Sequence, residues 1–182
     1  YYKAVEWYKK FAEYGYSDAQ WRLGNCYKLG QGIEKNDVKA IEWYRKSAEQ
    51  GNAEGQWRLG YYYEFGQGVD KNYDKAVEWY RRSAEQGNAK GQCMLGRCYY
   101  LGQGVDKDYA KAVEWCMKSA EQGNDVGQWI LGIYYCLGQG VDKDYVKAVE
   151  WYSKSAKQGN ADGQWRLGNC YKFGQGVDKN YV

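Results

Sequence analysis

Histidine and proline are missing from the chain altogether. Without histidine there is no imidazole for a catalytic triad or for a general base near neutral pH, and a cysteine nucleophile would lack its usual base. Histidine metal sites are excluded too, and Cys93 with Cys98 has no matching pair at zinc spacing. No enzyme activity, cofactor or metal is expected on these grounds. Without proline, glycine alone punctuates the chain, and 24 glycines are present. Phenylalanine is scarce, with three residues against 21 Tyr and 9 Trp. Rings with polar tips suit shallow, half-wet packing better than a deep core. No apolar run approaches the roughly 18 residues of a membrane span, so no membrane insertion is expected. No signal peptide stands at the start. Net charge is only +3 over 182 residues, with no concentrated basic stripe, so nucleic acid is not an expected partner.

What the chain has in abundance is itself. Lys75-Ala76-Val77-Glu78-Trp79-Tyr80 recurs at Lys3–Tyr8, Lys39–Tyr44 (Ile41 for Val), Lys111–Cys116 (Cys116 for Tyr) and Lys147–Tyr152, each copy 36 residues after the last. A fixed period of this size marks a repeat array. The expected division is a half repeat at 1–16, then repeats at 17–52, 53–88, 89–124 and 125–160, and an incomplete one at 161–182, all in a single solenoid domain. Because Tyr1 and Val182 both fall inside repeats, the chain reads as a slice of a longer protein.

Each copy reads as two helices. In Ala53–Phe65 the small and apolar residues Gly55, Leu59, Gly60 and Tyr63 fall at helical spacing, which defines helix A. Gly66 and Gly68 end it. The column Asn36, Asn72, Asp108, Asp144, Asn180 holds only side chains that accept from free helical N–H groups, so it caps helix B. Helix B buries Ala76, Val77, Tyr80 and Ala84, and Gly87 stops it; Asn88 caps the next helix A. A Gly-Asn link forces successive helices to be antiparallel. The pattern predicts B helices near 1–14, 37–50, 73–86, 109–122 and 145–158, and A helices near 17–29, 53–65, 89–101, 125–137 and 161–173. At the first link, Ser17 with Gln20 reads as a capping box.

Gly24, Gly60, Gly96, Gly132 and Gly168 all follow Leu in helix A, and small residues in register point to close helix approach. Glu6–Lys10, Glu42–Lys46, Glu78–Arg82, Glu114–Lys118 and Glu150–Lys154 pair acid with base four residues on, as on a solvated helix face. The helix-B tryptophans, Trp7, Trp43, Trp79, Trp115 and Trp151, recur in every copy and are expected in the core. Cys26, Cys98 and Cys170 share one column, two repeats apart, too far for a disulfide. With Cys116 and Cys136 replacing other residues, the thiols read as unpaired, which favours a reducing compartment, although a Cys98–Cys116 pair stays open.

The string Leu-Gly-x-x-Tyr, Gly-x-Gly-Val, Lys-Ala-x-x-Trp-Tyr and Ala-Glu-Gln-Gly, at this spacing along the whole chain, resembles the Sel-1-like repeat, a branch of the tetratricopeptide-like helical repeats. The resemblance implies an all-α, α/α solenoid of antiparallel helix pairs. It also implies an adaptor that holds a partner protein. Asp70, Asp106, Asp142 and Asp178 stand where the family often has Pro, and Ser precedes Ala in helix B where the family has Ala-Ala. A cysteine-rich bacterial branch of the family is linked to weak β-lactam binding or hydrolysis, which the resemblance leaves as an alternative function; the hallmark of that branch is a disulfide in each repeat, and no such paired spacing exists here.

Positions that differ between copies are free to define a ligand. In helix A they form one stripe: Arg22, Asn25, Lys28; Arg58, Tyr61, Glu64; Met94, Arg97, Tyr100; Ile130, Ile133, Cys136; Arg166, Asn169, Lys172. In tetratricopeptide-like solenoids the matching face lines the concave groove. The expected partner is a protein, bound as an extended peptide or a helix. Met94, Arg97, Ile130 and Ile133 are its central contact, with Tyr61, Tyr100 and Trp129 alongside and Arg22, Arg58 and Arg166 supplying charge. Ile130→Asp should then abolish binding and spare the fold. The competing expectation is that Met94, Ile130 and Ile133 only pack against adjacent A helices. A purely structural role, with ends stacking on further repeats, is the other alternative.

Overall fold

The computed structural model of the protein describes residues 2–179. Among these it contains ten α-helices: α1 (Tyr2–Glu13), α2 (Ser17–Leu29), α3 (Asp37–Glu49), α4 (Ala53–Phe65), α5 (Tyr73–Glu85), α6 (Ala89–Leu101), α7 (Tyr109–Glu121), α8 (Asp125–Leu137), α9 (Tyr145–Lys157) and α10 (Ala161–Phe173). Odd helices are of the B type and even helices of the A type. The fold is all-α, an α/α solenoid of antiparallel pairs. The chain forms two compact units, one ending at Gly91 and one beginning at Gln92.

The caps follow from the sequence. Asn36, Asn72, Asp108 and Asp144 each accept a hydrogen bond from the backbone N–H three residues on, at 2.9, 2.9, 2.9 and 3.0 Å. Asn180 lies outside the described residues. The capping box expected at Ser17 is not formed: Tyr16 occupies the cap position of α2 without a side-chain bond. Gln20 instead reaches back to the Ala12 carbonyl. Gly66 and Gly87 leave their helices with φ of +65° and +87°, a region an L side chain enters only with strain.

The helix glycines let two backbones touch. A Cβ at Gly24 would stand 2.7 Å from the Tyr44 ring and 3.1 Å from the Ala40 carbonyl oxygen. Gly60 meets Tyr80 and the Ala76 carbonyl in the same way, and Gly96 meets Cys116 and the Ala112 carbonyl. The helix-B serines add a bond that alanine could not. Ser47, Ser83 and Ser155 each donate Oγ to the first turn of an A helix, at Ser17 O, Ala53 O and Asp125 O, all 2.8 Å. A row of glutamine pairs ties the A and B helices of each repeat together, Gln50 to Gln20 and Gln86 to Gln56 in the first unit, Gln122 to Gln92 and Gln158 to Gln128 in the second.

The core is built from Ala40, Ile41, Tyr44, Ala48 and their counterparts, not from tryptophan. Trp43, Trp79, Trp115 and Trp151 are only half-buried, and Trp7 is 57% exposed. Each carries a cation three residues on over its outer face: Lys46 at 4.3 Å, Arg82 at 4.7 Å, Lys118 at 4.3 Å and Lys154 at 3.9 Å in the half-buried four. Their recurrence reflects this surface packing. Of the expected ion pairs, Glu78–Arg82 and Glu114–Lys118 close at 2.6 and 2.7 Å.

Candidate partner-binding faces

In the first unit, Tyr44 sits at the floor of the A-helix face, donating to Asn25 Oδ1 at 2.6 Å. Burial holds its phenol well above the usual tyrosine range, with Arg58 opposing. Arg58 is folded over three rings, Trp57 at 4.5 Å, Trp21 at 5.3 Å and Tyr44 at 5.7 Å. Arg22, exposed, lies over Trp21, and Lys28 lies over Tyr61 at 4.7 Å. Glu64, although on the varying stripe, is buried and accepts from Tyr80 at 2.7 Å.

In the second unit the face is mostly apolar. Met94, Arg97, Tyr100, Trp129, Ile133, Cys136 and Arg166 are all partly exposed. Tyr100 stacks on Tyr134 at 5.1 Å. Ile133, Trp129 and Cys136 pack against the cluster of Ala148, Val149, Tyr152 and Cys170. Ile130 is different: it is 7% exposed and belongs to the core. An aspartate at 130 would bury a carboxylate, so the fold would not survive it as the sequence suggested.

Variation between copies is thus not a pure marker of surface. The column Cys26, Tyr62, Cys98, Tyr134, Cys170 varies and is buried throughout. The size changes are absorbed by neighbours, as where Tyr62 meets the Tyr44 ring at 5.6 Å and the Cys116 thiol donates to the Tyr134 hydroxyl at 3.8 Å. The six cysteines are free thiols, so the open Cys98–Cys116 pair is not bonded, and no repeat carries the disulfide of the cysteine-rich branch. Among the described residues no group of three or more His, Cys, Asp or Glu could hold a metal ion, and no helix is long and apolar enough to cross a membrane. Two polar cavities, of about 230 and 790 Å³, lie by the A-to-B loops, at Tyr27, Asn36 and Lys39 and at the matching Tyr135, Asp144 and Lys147. Neither touches the stripe.

Stacked helical hairpins with an invariant frame and a varying helix face define a repeat scaffold. The chain belongs to the Sel1 repeat family, whose model matches residues 1–16, 17–52, 53–88, 89–124, 126–160 and 161–182. It is similar to a Sel1 repeat protein from Oxalobacter formigenes, at 41% identity and a TM-score of 0.90, over 97% of this chain and 70% of that one. It is also similar to c5321, a protective antigen of uropathogenic Escherichia coli with an SLR fold, at 43% identity and a TM-score of 0.84; this chain aligns over 97% of its length but spans only 38% of that protein. The immunity protein Pa5087 from Pseudomonas aeruginosa shares 26% identity and a TM-score of 0.64, over 92% of this chain and 62% of its own. Comparison with curated proteins gives no match. Sel1 repeat proteins generally act as protein-interaction scaffolds, and the family is not typically enzymatic.

Proposed function

We propose that this chain is a protein-interaction scaffold whose A-helix faces hold an extended peptide or a helix of a partner. Met94, Arg97, Tyr100 and Ile133 are the apolar contact of the second unit, flanked by Trp129 and Arg166; Arg22, Arg58 and Tyr61 serve the first. The observation that carries this reading is the pairing of Ile133 with Tyr152. Tyr44 gives its hydroxyl to Asn25, nineteen residues earlier. The residue nineteen before Tyr152 is Ile133, which offers no acceptor, and the buried Tyr152 hydroxyl is left without an oxygen or nitrogen partner, with only the weakly bonding Cys136 thiol beside it. An unpaired buried hydroxyl costs about 1–3 kcal/mol. A half-exposed isoleucine kept at that expense suits a surface that contacts something apolar. The test is a peptide selected from a random display library against the chain, titrated by calorimetry into Met94→Asp. Affinity should fall at least about tenfold, and an unchanged value would refute the face.

A second reading, end-to-end stacking, draws on α10. Leu131 and Gly132 of α8 are buried under α9, whereas Leu167 and Gly168 of α10 are partly and fully exposed. A B-type helix is what covers this face on α8, and α1 of another copy, whose Trp7 is exposed, is the candidate to cover it here. Sedimentation coefficients should then rise with concentration in the parent and stay flat in Gly168→Leu, where a side chain blocks close approach. A concentration-independent parent would remove this reading.

A further inference from the structure

Three cations of the first unit converge on one aromatic patch, and among the described residues Arg22 and Lys28 have no carboxylate at ion-pair distance, while Arg58 has a single long contact with Glu54. Arg58 spans Trp21 and Trp57, Arg22 stacks on Trp21 at 4.6 Å, and Lys28 stands over Tyr61 and Tyr62 at 4.7 and 5.5 Å. The rings hold three long side chains extended, which lowers the entropy lost on binding. The nearby carboxylates make their shorter bonds to other groups. Asp18 accepts from Trp21 Nε1 at 3.3 Å and from Asn52 at 2.8 Å. Glu54 accepts from Trp57 Nε1 at 2.9 Å and from Asn88 at 2.8 Å, and its contact with Arg58 is long, 3.6 Å. Arg58 Nε is buried with no acceptor. Burial, then Arg58 and Lys35, push the Lys28 ammonium below its ordinary value, with Asp37 alone opposing. The cations on the helix-B tryptophans differ, since Arg82 and Lys118 each hold a glutamate at 2.6 and 2.7 Å.

We propose that the α2–α4 face binds an acidic segment of a partner protein, its carboxylates meeting Arg22, Lys28 and Arg58 and its remaining surface lying on Trp21, Trp57 and Tyr61. This rests on the scaffold reading and gives the partner its chemistry. Protein carboxylates fit better than a phosphate backbone, because Asp18 and Glu54 flank the cations and the chain carries a net charge of only +3. α10 offers an internal control. Arg166 and Lys172 repeat Arg22 and Lys28, but they stack only on Trp165 and Phe173 of their own helix.

The test is fluorescence anisotropy with labelled poly-glutamate and poly-glutamine peptides, on the full chain and on Arg58→Gln, Lys28→Gln and Lys172→Gln. The glutamate peptide should bind at least about tenfold more tightly than the glutamine peptide, and Arg58→Gln and Lys28→Gln should each weaken it about tenfold. Lys172→Gln, which alters the α10 counterpart of Lys28, should change nothing. Equal binding of the two peptides would overturn the proposal. So would full affinity in both Lys28→Gln and Arg58→Gln with unaltered melts, or tighter binding of an RNA oligonucleotide. If display-selected peptides bind and poly-glutamate does not, the acidic partner falls and the scaffold stands. If selected peptides are indifferent to Met94→Asp, it is the scaffold reading that falls.

Discussion

Residues 21–28 and 165–172 are the same eight amino acids, Trp-Arg-Leu-Gly-Asn-Cys-Tyr-Lys. In α2, Leu23 is fully buried and Gly24 is pressed onto Tyr44. Tyr27 is 8% exposed. In α10, Leu167 is half-exposed, Gly168 faces open space, Tyr171 is 40% exposed and Trp165 61%. Only Cys26 and Cys170 are buried in both. The difference is neighbours: α2 packs against α1, α3 and α4, whereas α10 packs against α9 and α8. One sequence is core in one place and surface in the other, because Leu23 and Gly24 lie under the B helix that follows in the same repeat, so stability in this protein depends above all on the pairing of each A helix with its B helix.

The largest break in that comparison should come from the paired glycines. Gly24→Leu must displace Tyr44 and the Ala40 carbonyl, and should cost about 3 kcal/mol or more. Gly168→Leu meets nothing and should be neutral, or gain up to about 1 kcal/mol of helix propensity. Equal thermal melts for the two variants would contradict the packing described. Next in size is the alkaline limb. Burial pushes the Cys116 thiol from 9.0 up to about 12. The native state therefore keeps a proton that the unfolded chain loses above pH 9, so the contribution is intact below that pH and is lost as pH rises through 9 to 12. The loss is about 1.4 kcal/mol per pH unit for one such group. Denaturant melts across that range should show it, and Cys116→Ser should flatten the slope. A slope the same in both proteins would assign it elsewhere. Smaller still are the caps: Asp144→Ala should cost about 1 kcal/mol. Ser17→Ala, where no side-chain cap bond exists, should cost little by the same melt.

The fold was legible because its signals are local and repeated five-fold. Asn72 and Asp108 announce helix starts, Gly66 and Gly87 announce ends, and the period supplies the architecture. Signals that depend on a neighbour 30 residues away were not legible. Gln20, Gln56, Gln92 and Gln128 read as surface polar residues, yet they are 4–5% exposed and bonded to a glutamine at the end of the B helix of the same repeat. The candidate faces were legible in part. The varying stripe picked out Arg58, Met94 and Ile133, which are partly exposed, but it also swept in Ile130 and Glu64, which the packing of the helices buries. The helix-B tryptophans failed in the opposite sense. Their sameness suggested core, whereas a cation at i+3 covers each ring at the surface.

The central claim is that the A-helix positions that differ between copies are kept for a partner. Ile133→Asn tests it most directly, because it installs the residue that serves Tyr44 in the first repeat and gives the Tyr152 hydroxyl an acceptor. The account predicts a melting temperature equal to or above the parent's, together with at least about tenfold weaker calorimetric binding of a display-selected peptide. Unchanged peptide affinity in the stable variant would contradict it.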